Sequence, residues 1–459
     1  AVENIPAADR WLAHGRWWGD FWNRGWVFAG SSEQPAGADA DAVTRACVLQ
    51  RWINACGGRG AYPIKFNGSI FVVDSPFDAD YRAWGGGYWF QNTRLIYWSM
   101  LATGDFDLML PFFEMYRRAL PARKLATKTY YGHEGAFFPE TMSFWGNYLD
   151  QGDLGYGTDR NGKPDGLTDN SYIRRYWQSG LEMLVMMLDY HDLTGDAKFR
   201  DETLLPFATE VVAFFDQHWQ RGPDGKILFH PAMSLETWWD CTNPTPEIAA
   251  LRHVIPRLHR ITGSTKWQKT LDDLPPLPLS ADQTRILPGE KFADKHNSEN
   301  PELYAIFPYR NYGVGKPGLE IARNTFAARG TRHNRGWCQD PIQAAHLGLG
   351  DEAAAMLTAR ARAVAAGFRF PAIWGPNFDW IPDQTHGTVM ATALHRMLLQ
   401  GDDEKIHLLP AWPKSWDVSF KLHAPQQTTV EGEWKGGKVI HLKVTPESRR
   451  KDVIITGQP

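Results

Sequence analysis

The sequence predicts a mainly α-helical chain: an (α/α)6 toroid of helical hairpins followed by a small C-terminal antiparallel β domain. Three observations carry this expectation. Helical stretches recur in pairs joined by a short Thr-Gly or Gly-Asp turn, the other ends of the pairs run into long aromatic loops rich in Gly and Pro, and the helical period gives way to a period of two after Gly401.

Taken in order, "WLAHGRWWGDFWNRGWVF" reads as an amphipathic, Trp-rich helix that leads into the ring. "ADAVTRACVLQRWINACG" is a further helix. "NTRLIYWSMLATGDFDLMLPFFEMYRRAL" gives a helix, the turn Thr103-Gly104-Asp105, and a second helix. "SYIRRYWQSGLEMLVMMLDYHDLTG" has apolar residues at the spacing of a wide buried stripe. It stops at Thr-Gly, and Asp196 is placed to cap the next helix, "DAKFRDETLLPFATEVVAFFDQHW". "EIAALRHVIPRLHRITGSTKWQKTLDDL" repeats the pattern at Thr262-Gly263-Ser264, and "PIQAAHLGLGDEAAAMLTARARAVA" turns at Gly350-Asp351. "GLEIARNTFAARG" and "HGTVMATALHRMLLQG" supply the remaining helices. "KIHLLPAWP", "VSFKLHA", "VEGEW", "KVIHLKV" and "KDVIITG" alternate as strands, with Gly436-Gly437 as a hairpin turn. The expected division is therefore 1–50, N-terminal linker helices; 51–404, the toroid; and 405–459, the β domain. An open α-solenoid explains the helices but not the Trp-rich loops on one side.

The chain has 459 residues, 43% apolar, with 49 basic and 52 acidic side chains and a formal charge of -3. No basic stripe suggests nucleic acid, and no apolar run approaches the ~20 residues of a membrane span. No signal peptide is visible, and the chain starts at Ala1 rather than Met, as a processed or excised piece would. The cysteines, Cys47, Cys56, Cys241 and Cys338, have no metal-ligand spacing; Cys47 and Cys56 are close enough in sequence for a local disulfide, and isolated thiols fit as well. No cofactor or metal is expected. Oligomeric state is left open by the sequence.

Twenty-one Trp stand out, many beside Gly, Asn, Asp or Pro: "WGGGYWFQN", "FWGNY", "TWWDCTN", "IWGPNFDWIPDQ". Flat apolar faces next to hydrogen-bonding groups suit a sugar, whose faces are C–H and whose edges are hydroxyl; Trp as simple core filling accounts for the rest. Four clusters collect such residues. In "AWGGGYWFQNTRLIYW", Gly85-Gly86-Gly87 lets backbone approach a ligand, and Asn92 is either a ligand contact or a helix cap. "HPAMSLETWWDCTNPTPE" reads as a loop. It sets Glu236 and Asp240 beside Trp238 and Trp239, whose rings would desolvate Glu236 into a proton donor; Asp240 would bind a hydroxyl or cap the next helix. "KHNSENPELYAIFPYRNYG" crowds His296, Asn297, Glu299 and Asn300 ahead of Tyr304, Tyr309 and Arg310. The fourth holds Trp374, Asn377, Asp379, Asp383 and His386 just before a helix; Asp383 is an N-cap, a carboxylate aimed into the pit, or both. No nucleophile motif, phosphate loop or dinucleotide fingerprint is present.

These residues resemble the catalytic domain of family 95 glycoside hydrolases, inverting α-L-fucosidases and α-L-galactosidases. "LHRMLLQGDDEKIHLLPAWPKSWDVS" is similar to that domain's closing Met-Leu-Leu-Gln turn and His-Leu-Leu-Pro-Ala strand. "NTRLIYW" resembles its Asn-x-x-x-Asn-Tyr-Trp segment and "HPAMSLET" its Ser-Pro-x-x-Ser-x-Glu segment. The similarity runs through most of residues 60–445. It implies Glu236 as general acid and Asp383 with Asn92 as the groups that activate water. Phe90 stands where the family has a second asparagine, "DQTHG" replaces Asp-Gly-Asn-Phe-Gly, and a His-rich stretch is replaced by "ENPELYAIFPYRNYG". The resemblance also implies a β domain ahead of the toroid, and a bacterial periplasmic or extracellular setting in polysaccharide degradation.

The expectation is thus an exo-acting, inverting glycosidase with a carbohydrate as its partner. Trp84, Trp89, Trp238, Trp239 and Trp374 would line the sugar site, with His133, Glu134, Asp240, His296, Asn297, Asn300, Asn377 and His386 contacting the substrate. Two rivals stand beside it. One is a polysaccharide lyase using Tyr304, His296 or His386 as base; the other is a non-catalytic carbohydrate-binding protein.

Overall fold

The computed structural model describes residues 5–31, 33, 36–67, 70, 84, 86–149, 168–364, 383–402 and 404–456. Trp374, Asn377 and Asp379 lie outside the described residues. Helices α1 (Ala7–Arg24) and α2 (Ala36–Gly57) flank strand β1 (Trp26–Gly30). A two-stranded pairing, β2 (Tyr88–Trp89) with β3 (Thr141–Met142), frames α3 (Phe90–Thr103) and α4 (Phe106–Tyr131). Helix α5 (Ser179–Thr194) follows, then α6 (Ala197–Phe199), which runs through a π turn into α7 (Leu205–Gln217). Strands β4 (Ala232–Ser234) and β5 (Trp238–Pro244) lead into α8 (Thr245–Thr262) and α9 (Gln268–Asp272), and β6 (Gly289–Phe292) completes their sheet. A 3-10 turn at Pro301–Ala305 precedes α10 (Leu319–Ala328), α11 (Asp340–His346), α12 (Gly350–Arg362) and α13 (Gln384–Leu398).

The Thr-Gly turns work as the sequence suggested. Gly104, Gly195 and Gly263 sit at φ of 74°, 66° and 65°, a left-handed geometry that a Cβ would strain. Asp196 caps its helix by accepting the Phe199 N–H at 2.9 Å. The helix expected from Ser171 starts only at Ser179: the Asn170 side chain accepts the Tyr172 N–H at 3.0 Å, an Asx turn that diverts the backbone. The α11–α12 turn is centred on Gly348, at φ 74°, and Gly350 already belongs to α12.

Packing separates two sets of helices. α13 lies on α3, α3 on α5, α5 on α8, α8 on the 3-10 turn, and α11 on α13. Gln339, the residue before α11, donates to Tyr304 of that turn at 3.4 Å. Every residue of α3 is buried, as is all of α13 except Arg396, the signature of helices covered on all sides. The others back them: α4 and α7 against α5, α9 against α8, α10 against the 3-10 turn, α12 against α11, α2 against α12 and α13. Of the backed helices, α3, α5 and α13 bring their C-terminal halves to one place. First turns of α3 reach one cavity, while last turns of α3, α5 and α13 reach another.

The β region is built from β7 (Leu399–Asp402), β8 (Lys405–Leu408), β9 (Asp417–Ala424), β10 (Thr428–Lys435), β11 (Lys438–Thr445) and β12 (Val453–Ile455). β9, β10 and β11 form an antiparallel meander, and Gly436 and Gly437, at φ of 56° and 76°, make the β10–β11 turn. Two features differ from the expected division. β1, within residues 1–50, adds to the edge of this sheet with Val27 opposite Phe420, so the N-terminal segment is more than a lead-in. The 404/405 boundary falls inside the β7–β8 hairpin, and β12 pairs with β8 in parallel. All four cysteines are free thiols, Cys56 exposed and the others buried. Among the described residues no helix is long and apolar enough to cross a membrane, and no His, Cys, Asp and Glu group is arranged to hold a metal.

Candidate active site

The segment around Glu236 is a hairpin rather than a loop. Trp, Thr and Cys in "TWWDCTN" favour an extended backbone. Accordingly, β4 and β5 pair with Ala232 opposite Cys241 and Ser234 opposite Trp238, and β6 joins through Cys241 and Phe292. Leu235, at φ 53°, turns the chain so that Glu236 sits at the tip. There it is almost fully buried, on the wall of a cavity of ≈430 Å3.

That cavity joins five separate parts of the sequence. Trp84, Trp89 and Trp337 give it aromatic faces; Trp84 holds its ring near that of Trp89, centroids 5.6 Å apart, from a left-handed backbone at φ 68°. Asn92, Asn170, Asn297 and Ser298 supply polar edges, and Gln91, Tyr172 and His296 complete the described wall. Asn297 donates from Nδ2 to the Glu236 Oε2 at 2.7 Å, and Trp239 donates from Nε1 to the Glu236 backbone carbonyl at 2.9 Å. The carboxyl is therefore held from its side chain and from its main chain.

Below the wall lies a fully buried polar layer. The Gln91 N–H donates to Glu140 at 2.6 Å, and its side-chain amide donates to Glu299 at 2.6 Å, so one residue bridges two acids. Glu299 also accepts from Tyr304 at 2.5 Å and Gln339 at 2.9 Å, with Arg94 3.5 Å away. Arg94 is tied to Glu182 at 2.5 Å, which in turn accepts from Trp98 at 2.8 Å. Burial first, and then the neighbouring Glu236 charge, push Glu140 well above the ordinary carboxyl range. Burial raises Glu299 as well, against the opposing pull of Arg94. Such a layer fixes Gln91 and, through it, the start of α3.

Asp383 is fully buried at the N-cap of α13. Its Oδ1 accepts the Thr385 N–H at 2.8 Å and the Thr385 hydroxyl at 2.6 Å, and its backbone bridges Asn67. It is not among the residues lining the cavity. Asn92 is in the third helical position of α3 rather than at its cap, which is Trp89, and faces the cavity.

Several expected contacts lie elsewhere. His133 and Glu134 follow the C-terminal end of α4, where Glu134 pairs with Lys128 and His133 meets His218 at 3.0 Å. Trp238 packs edge-on against Phe292, and Asp240 is exposed beside His230. Both fall on the outer side of the strand, because alternate residues of a strand face opposite ways. Trp239 stacks on His296 at 3.6 Å, behind the wall. Asn300 exchanges two hydrogen bonds with the Thr331 backbone, a loop clamp. His386 accepts the Gly336 N–H at Nδ1, leaving Nε2–H for the Arg360 carbonyl; burial and Arg360 hold it near a pKa of about 3, a neutral structural ring. Gly87 abuts the Leu149 carbonyl, 2.5 Å from where a Cβ would sit, so chain packing demands that glycine. Conversely, Gln91, Asn170, Tyr172, Ser298 and Trp337 joined the wall without being singled out as substrate contacts.

A profile of the glycosyl hydrolase family 95 catalytic domain matches residues 77–389. No curated protein sequence matches the chain. Among solved structures, one described as "Putative kojibiose phosphorylase from human microbiome" is similar at a TM-score of 0.66 and 13% identity, over 99% of this chain and 68% of that one. With the profile spanning more than half of the chain and Glu236 set in an aromatic cavity, the chain belongs to glycosyl hydrolase family 95 and is a glycosidase-type enzyme acting on carbohydrate.

Proposed function

We propose that the chain is an exo-acting, inverting glycosidase of (α/α)6 architecture, with Glu236 as general acid and Asp383, assisted by Asn92, as general base. The observation that carries this reading is the carboxyl of Glu236, gripped by Asn297 on the wall of a cavity faced by three indoles. The closed sequence of helix contacts supports the toroid. In the reaction, Glu236 gives its proton to the glycosidic oxygen as the bond from that oxygen to the anomeric carbon breaks. Water attacks that carbon from the other side and passes a proton to Asp383, releasing a sugar of inverted configuration and an alcohol. Inverting pairs stand roughly 6.5–9.5 Å apart, so that spacing is required of the two carboxyls with sugar bound.

The lining supports a neutral sugar. Glu236 is the one carboxylate among the described lining residues, and no Lys or Arg is among them. A uronic-acid lyase needs a cation at the substrate carboxylate, and two of its three candidate bases, Tyr304 and His386, are buried with their polar atoms engaged. The phosphorylase neighbour favours a second reading, in which phosphate replaces water as nucleophile. A secreted, polysaccharide-degrading setting rests on the family alone.

Nitrophenyl glycosides and plant and host oligosaccharides, screened with and without phosphate, test both. Proton NMR of the first-formed product reads its anomeric configuration. Retained configuration rejects the two-carboxylate water mechanism. Turnover that requires phosphate rejects hydrolysis.

A further inference from the structure

The far end of α3, with α5, α8 and α13, encloses a second cavity, of ≈360 Å3, that the glycosidase chemistry does not use. The last turns of α3 and α5 contribute Leu101, Asp189 and Asp192, the middle of α8 contributes Arg252 and Arg257, and the segment after the 3-10 turn contributes Arg310 and Lys316. Arg396 of α13 and His423 of β9 close it. We propose that this basic cavity is a binding site for a small oxyanion, a phosphate or sulfate group, distinct from the aromatic cavity.

The charge balance argues for it. Three arginines, Arg252, Arg257 and Arg310, face two carboxylates, Asp189 and Asp192, and Lys316 and Arg396 add basic groups to the same wall. Asp189 already serves Arg257 at 2.8 Å and Arg310 at 2.7 Å, and Asp192 serves Arg257 at 2.7 Å. Arg252 donates to the Pro275 carbonyl at 2.9 Å and meets no carboxylate among the described residues. The Arg310 Nε, buried on this wall, meets no acceptor among the described residues. His253 adds no charge: its Nε2 takes Arg257 and Arg310 donors at 3.0 and 3.1 Å, which requires the unprotonated ring. A forked guanidinium with an unused N–H is the side chain best suited to a tetrahedral oxyanion.

The competing account is that these cations only balance the negative ends of the helices. It suits Arg396, in the last turn of α13, but not Arg252, which projects from the middle of α8, away from either end.

Thermal stability and calorimetry on the whole chain separate the accounts, using inorganic phosphate and sulfate at constant ionic strength with chloride as reference. Saturable binding is expected, weakened about tenfold or more by Arg252→Gln and by Lys316→Gln and unchanged by Glu236→Gln. Glucose 6-phosphate binding more tightly than phosphate would identify a carbohydrate ester as the ligand, and weaker binding a free anion; both retain the site. Stabilisation no greater than with chloride overturns it. So does phosphate binding that survives both cavity substitutions but is lost in Glu236→Gln, which would place phosphate in the aromatic cavity and leave the glycosidase reading to be judged on turnover alone.

Discussion

The two cavities meet opposite ends of helix α3, yet one is walled by indoles and amides and the other by guanidinium groups. The first has a single carboxylate among its described lining residues, held in place by a neutral amide. The second has its carboxylates engaged by arginine, and its Arg252 meets no carboxylate among the described residues. Helix direction accounts for part of the contrast: the first turn of α3 faces the aromatic cavity with its N–H end, and the C-terminal ends of α3, α5 and α13 face the basic one. Sequence accounts for the rest. The residues after each hairpin's Thr-Gly turn are ordinary, whereas the long segments at the other ends carry Trp, Asn and Glu236. Chemistry on sugar calls for a dry pocket with one movable proton; holding an anion calls for fixed positive charge.

Substitutions at the aromatic end should have the largest effects on turnover. Glu236→Gln removes the proton donor, and kcat should fall about 10²- to 10⁴-fold with substrate binding largely kept; steady-state kinetics giving unchanged kcat would remove Glu236 from the mechanism. Asp383 separates the N-cap role that its position shows from the base role proposed for it. Asp383→Asn keeps an N-cap acceptor, so Tm should hold while kcat falls by a similar factor; Asp383→Ala should cost about 1 kcal/mol of stability in addition. Asn activity equal to wild type would make Asp383 a cap alone. Asn297→Ala deletes the hydrogen bond that positions the Glu236 carboxyl, worth about 0.5–1.5 kcal/mol between neutral groups, so kcat/KM should fall by up to about tenfold. Trp337→Ala strips one apolar face and should raise KM about tenfold at similar kcat. A fall in kcat with constant KM would exclude it from ground-state sugar binding.

Much of this contrast could be read in the sequence, for reasons that also explain what could not. Thr-Gly turns are local: a glycine that must take positive φ announces a helix end, and Gly104, Gly195 and Gly263 all do so. Glu236, Asn92, Trp89, His296 and Asn297 could be found because polar groups beside aromatics in Gly- or Pro-rich segments are poor core material. His133, Glu134 and Asp240 met the same criterion but face elsewhere, since composition does not tell which side of a strand or helix end looks inward. The hairpin at Glu236 was hidden because proline suggested a break, while Ser234 and Trp238 pair across it, around the turn at Leu235, by cross-strand contacts invisible to a linear reading. The basic cavity was hidden altogether: Arg252, Arg310 and Arg396 are spread over helix and loop segments, and only their packing brings them together.

Helix α8 keeps two titratable groups neutral, both chiefly through burial but with opposite consequences for pH. In its first turn, Glu247 is 4% exposed, its Oε2 meets no partner among the described residues, and burial lifts its pKa to about 8. Further along, burial and the charges of Arg310, Arg257, Lys316 and Arg260 hold His253 well below its ordinary value. In the unfolded chain Glu247 releases its proton near pH ~4.3. Between there and about 8 the folded state keeps one proton more, so the stability this group confers is full at acid pH and drains as pH rises. His253 has the reverse sign: the folded state keeps one proton fewer, so its contribution is full above pH ~6.5 and is lost on acidification. Glu247→Gln should therefore leave Tm near wild type at pH 5 and raise it by a few degrees at pH 8, since each pH unit in that window is worth about 1.4 kcal/mol. Parallel Tm curves across that range would mean that Glu247 is ionised in the fold, and that burial does not keep the first turn of α8 neutral.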